Sequence, residues 1–109
     1  MLKCCSAATA LTLMLSACAS TPSASSYAWM DYACSDGQRV QATYPDSNTA
    51  VIKLTGVNHT LHIAISGSGA RYTGDGWQWW TKGMHDGILA PLAPGESIAS
   101  APGVACHAG

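Results

Sequence analysis

From Tyr27 onward apolar and polar residues alternate one by one instead of recurring every three or four positions, and that period commits the chain to strands. Gln38 to Tyr44 sets Val40, Ala42 and Tyr44 on one face and Arg39, Gln41 and Thr43 on the other. Thr60 to Ile65 sets Leu61, Ile63 and Ile65 against His62 and Ala64. Both read as half-buried strands. Turn formers separate such runs: Ser35-Asp36-Gly37, Pro45-Asp46-Ser47-Asn48, Gly56-Val57-Asn58-His59, Ser66-Gly67, Gly74-Asp75-Gly76, and Pro91 to Gly95. No stretch carries a convincing helical period, and no internal repeat is apparent. The expected fold is all-β, a small antiparallel barrel of seven to eight strands, because closing the sheet on itself removes the exposed edges. Phe is absent, so the core must come from Val, Ile, Leu, Tyr and Trp.

A chain of 109 residues accommodates one domain. Its 5 Lys+Arg against 6 Asp+Glu leave a formal charge of −1, with no basic face to attract phosphates, which excludes nucleic-acid binding. The N-terminus reads as an export signal: Lys3 precedes the apolar run Ala7 to Leu15, which is too short and too interrupted by Thr to span a bilayer. Leu15-Ser16-Ala17-Cys18 at its end looks like a bacterial lipobox, implying cleavage after residue 17 and lipid on Cys18. Ala19 follows in place of the Asp that resembles an inner-membrane retention signal. The expected location is therefore the outer membrane, with the domain facing the periplasm. Residues 18–26 form the lipidated Cys and a small, polar tether, which extends at most roughly 26 Å over Ala19 to Ser26. Residues 27–109 are the folded domain.

Cysteine arithmetic then leaves one pairing. Cys4 and Cys5 lie in the signal and Cys18 carries lipid, so Cys34 and Cys106 remain to form a disulfide in an oxidising compartment.

Ser66 to Gly83, reading SGSGARYTGDGWQWWTKG, holds the densest information. A hairpin centred on Asp75 pairs Thr73 with Trp77, Tyr72 with Gln78, Ala70 with Trp80 and Ser68 with Lys82. That register sets a hydroxyl beside an ammonium at the open end of the hairpin. It places them on the face of Tyr72 and Trp80, with Arg71 and Trp79 on the opposite face.

At these residues the chain resembles the membrane-bound lysozyme inhibitors of c-type lysozyme. The resemblance rests on Ser68-Gly69-Ala70-Arg71-Tyr72 followed by Trp80-Thr81-Lys82-Gly83, with support from the lipobox, Tyr32-Ala33-Cys34 and Cys106. It implies a disulfide-stapled antiparallel barrel that is an inhibitor and not an enzyme. It also implies that Ser68 and Lys82 enter the lysozyme cleft and engage its two catalytic carboxyls, with Gly69, Tyr72, Trp80 and Thr81 completing the binding motif. Retaining glycoside hydrolysis needs one carboxyl protonated and one ionised. A hydroxyl can hydrogen-bond to either, and an ammonium is drawn to the ionised one. Where relatives carry an acidic pair after Trp-Thr-Lys-Gly, this chain runs Met84-His85-Asp86.

The implied partners are a c-type lysozyme and, through Cys18, a membrane; the domain is expected to act as a monomer without cofactor or metal. His59 and His62 fall on opposite faces of one strand and cannot share a metal, and His85 and His107 show no evident partners. A Ser68/Lys82 nucleophile and base would make a hydrolase, but no oxyanion-hole signature accompanies them. The alternative class is a structural or assembly lipoprotein of the envelope that binds another envelope protein or glycan.

Overall fold

The computed structural model describes residues 28–109; the signal, Cys18, the whole of the tether to residue 26, and Tyr27 at the start of the expected domain lie outside the described residues. Eight strands follow one another: β1 (Met30–Cys34), β2 (Arg39–Asp46), β3 (Thr49–Leu54), β4 (Val57–Ala64), β5 (Ala70–Gly74), β6 (Trp77–Lys82), β7 (Asp86–Pro91) and β8 (Val104–Ala108). Each pairs antiparallel with its sequence neighbours, and β8 pairs with β1, so the sheet is a closed up-and-down barrel. The described residues contain no helix. The all-β barrel expected from the alternation is the fold observed.

Closure happens at the seam between the first and last strands. Cys34 stands opposite Cys106 across β1 and β8, and the two are disulfide-bonded over a sequence separation of 72. The pairing inferred from the cysteine count is thus the bond present, and it crosses the seam where barrel closure brings β1 and β8 together.

Inward-facing residues fill the barrel. Val40, Ala42, Ala50, Ile52 and Leu61 have no solvent exposure, and Trp79 at the centre is likewise sealed. Tyr32 packs edge-on against Trp79 with ring centroids 4.9 Å apart. Trp79 donates its indole N–H to the Tyr44 hydroxyl at 2.9 Å, and the Tyr44 and Tyr32 hydroxyls are 3.1 Å apart. The aromatic core therefore satisfies its own polar atoms, as buried Trp and Tyr require. Burial raises the Tyr44 pKa far above the ordinary tyrosine value, with the Trp79 hydrogen bond pulling the smaller way. The indole is so close to β7 that a Cβ on Gly87 would collide with its six-membered ring, which explains a glycine in mid-strand there.

Several sequence expectations need correction. Asp75 and Gly76 both have positive φ (52° and 82°) and lie between the paired residues Gly74 and Trp77. This is the two-residue turn that an Asp-Gly pair favours, not a turn centred on Asp75. The β5–β6 register consequently shifts by one: Tyr72 faces Trp79, Arg71 faces Trp80, and Ala70 faces Thr81. Tyr72 shares the inner face with Trp79, and Arg71 shares the outer face with Trp80. Thr55 and Gly56 (φ 47° and 82°) make the same kind of turn, so Val57, Asn58 and His59 belong to β4 and not to a turn. Pro45 and Asp46 likewise belong to β2, leaving Ser47-Asn48 as the turn. Of the Leu61, Ile63, Ile65 face only Leu61 is buried; Ile63 is 41% exposed near the barrel end and Ile65, beyond the strand, 92% exposed.

Candidate functional site

One end of the barrel collects the loop between β4 and β5, the turn between β6 and β7, the start of β1 and the end of β8. Ser68 lies in that loop and Lys82 ends β6. Both are exposed, and the Lys82 ammonium donates toward the Ser68 hydroxyl at 3.5 Å. The juxtaposition expected from the sequence is present, but not through direct cross-strand pairing. In the observed register Lys82 continues past Ala70, and Ser68 lies outside β5. Gly69, at φ 63°, turns the chain left-handed and carries Ser68 back beside Lys82. No other residue type fits there, because a Cβ on Gly69 would overlap the Thr81 carbonyl oxygen.

Trp80 and the loop's own polar atoms hold this arrangement. The Trp80 indole N–H donates to the Ser68 carbonyl at 2.8 Å, and the Lys82 ammonium sits 4.3 Å above the Trp80 ring centroid. The Ser66 hydroxyl contacts the carbonyls of Ser68 and Gly69 at 3.1 and 3.3 Å. Among the described residues the ion pairs are His59–Asp75 and His107–Asp86, so no carboxylate lies within 4.0 Å of Lys82. The site is an exposed cation and hydroxyl, held from beneath by an indole.

The remaining motif residues divide by face. Thr81 and Tyr72 point inward and line a mouth pocket of about 220 Å³ together with Met30, Tyr44 and Met84. Tyr72 is buried, which raises its pKa, and the charges of Tyr44 and Asp46 act in the same direction. It shapes the mouth without reaching the outer surface.

Sequence reasoning missed two groups. Arg71 is 7% exposed, and its guanidinium donates to the Ile65 carbonyl at 2.7 and 3.1 Å, the Ser97 carbonyl at 2.9 Å and the Gln78 side chain at 3.2 Å. Gln78 in turn accepts from the Ala99 backbone at 3.0 Å. Arg71 thus ties the base of the Ser68 loop to the 92–103 segment, a role whose only sequence signal was an arginine inside a strand pattern. The second group is at β8: His107 is not partnerless, since its Nδ1 lies 2.8 Å from Asp86 and its ring 6.4 Å from that of His85. That contact joins residues 21 positions apart and had no local signature.

Fold and site together define a class: a disulfide-closed, eight-stranded antiparallel barrel that presents a hydroxyl and an ammonium side by side at one rim. The family model described as membrane-bound lysozyme-inhibitor of c-type lysozyme matches residues 32–90, more than half the chain. The chain belongs to this family, which is one of inhibitors and not of enzymes. A membrane-bound lysozyme inhibitor of C-type lysozyme from Cupriavidus necator is 37% identical over 73 residues, covering 64% of this chain and 58% of the relative. The protein of the same name from Pseudomonas aeruginosa is 34% identical over 82 residues, covering 71% of this chain and 61% of the relative. The chain therefore spans about three fifths of the length of these relatives. Among solved structures, Pseudomonas aeruginosa MliC in complex with hen egg white lysozyme is similar, with a TM-score of 0.54 at 25% identity, covering 77% of this chain and 83% of that one.

Proposed function

We propose that this protein inhibits a c-type lysozyme by inserting the Ser68/Lys82 rim into the enzyme's active-site cleft. The observation that carries the reading is the 3.5 Å approach of two exposed groups, an ammonium and a hydroxyl, with no carboxylate among the described residues holding the ammonium. The cation meets the ionised catalytic carboxylate, the hydroxyl hydrogen-bonds to either carboxyl, and polysaccharide is shut out. Gly69 and Trp80 set the loop, while Thr81 and Tyr72 shape the adjoining mouth. The similarity to a relative solved as a lysozyme complex supports this reading. Lipid on Cys18 anchors the domain to the outer membrane, facing the periplasm, where it protects the cell wall.

The test is a titration of residues 19–109 into a cell-wall clearance assay with a c-type lysozyme. Inhibition is expected at stoichiometric to micromolar excess, and its absence overturns the reading. In a water-depleted cleft, loss of a charged partner costs about 2–5 kcal/mol, so Lys82→Ala is expected to weaken inhibition at least 30-fold. Ser68→Ala should weaken it less. Both should leave the thermal midpoint nearly unchanged, since both side chains are exposed. If both variants inhibit like the parent, the rim is not the binding site.

A further inference from the structure

A charged row crosses the outer face of the barrel next to the proposed rim. Lys82 on β6 is the register partner of Asp86 on β7, and Asp86 is the register partner of His107 on β8. Directly opposed residues share a face, so all three side chains stand on the outside within reach of their neighbours. An adjacent Lys and Asp would ordinarily pair, yet here the Asp86 carboxylate is taken by His107 at 2.8 Å and the Lys82 ammonium turns to Ser68 and Trp80.

We propose that Asp86 and His107 are positioning residues for the site: the imidazole occupies the carboxylate and so leaves the Lys82 ammonium available to an acidic group from outside. The inference rests on the lysozyme-inhibitor reading above. Without His107, Asp86 competes for Lys82 and adds a negative charge where the partner's carboxylates approach. The groups around His107 are few. His85 in the β6–β7 turn lies 6.4 Å away ring to ring, and Lys82 lies beyond Asp86. On the β1 side the register partner is Ala33, and Asp31 further along that strand is hydrogen-bonded to Gln41. Gly109 packs close to the imidazole Nε2. When the imidazole is protonated the row carries one net positive charge; when it is neutral the row carries none, so a protonated imidazole favours an acidic partner.

The test measures lysozyme affinity at pH 7 and low salt for the parent, His107→Ala, Asp86→Asn and the double variant. From the range measured for exposed ion pairs, His107→Ala is expected to bind roughly two- to fivefold more weakly. Asp86→Asn should bind at least as tightly as the parent, and the double variant should regain or exceed parental affinity. A merely structural role for His107 would not be rescued by a second substitution. An unchanged His107→Ala or an unrescued double variant, with the parent still binding, overturns this inference alone. A parent that does not bind lysozyme overturns the inhibitor reading and this inference with it.

Discussion

Gly69 shows how one residue decides the geometry of the rim. It combines a positive φ with a Cβ position already occupied by the Thr81 carbonyl oxygen, whereas Gly67, two residues earlier, has neither constraint. Gly69→Ala must move the loop or strain it, at a cost of about 1–3 kcal/mol. It is expected to lower the denaturation midpoint and weaken lysozyme inhibition, while Gly67→Ala changes neither appreciably. Equal behaviour of the two variants, measured by thermal unfolding and clearance assay, would contradict the role given to Gly69.

At the level of elements, the β5–β6 hairpin supplies both the core and the site, because its two faces have different tasks. Tyr72 and Trp79 fill the interior, while Arg71 and Trp80 on the outer face support the Ser68 loop. Arg71 joins three segments: its donors satisfy the backbone carbonyls of Ile65 and Ser97 and the side chain of Gln78. Arg71→Met keeps the length and removes those donors, leaving partly buried acceptors unmet at about 1–3 kcal/mol each, discounted where water enters. Expected outcomes are a loss on the order of 2–4 kcal/mol of stability and faster amide exchange across residues 65–69. Unchanged exchange there would show that the loop is held by Trp80 and Ser66 alone.

For the whole molecule, the disulfide and barrel closure are one feature. The bond joins the first strand to the last, and the chain-entropy model values a closed loop of this length at roughly 4 kcal/mol. A barrel this small, with no Phe in its core, should depend on that contribution. Reduction is expected to lower the thermal midpoint by on the order of 20 °C, from the shift per kcal/mol typical of domains this size. Equal midpoints with and without dithiothreitol would mean that strand pairing at the seam suffices by itself.

The sequence alone determined the fold class, the disulfide and the identity of the rim pair, because each depends on something local or countable. Alternation specifies strands, setting aside the three cysteines of the expected signal and lipobox leaves two that allow one bond, and the spacing of Ser68 and Lys82 about an Asp-Gly turn brings them to the same end of a hairpin. Register was harder, since the same Gly-Asp-Gly stretch permits either a centred turn or the two-residue turn actually formed, and a slip of one exchanges the faces of Arg71, Tyr72, Trp79 and Trp80. The left-handed turn at Gly69 then restored the Ser68–Lys82 contact that the corrected register alone would have displaced. Only tertiary structure could place Arg71 against the 92–103 segment or His107 against Asp86. Those contacts join residues distant in sequence, and their partners become neighbours only when β7 pairs with β8 and the connection between those two strands packs back against β5 and β6.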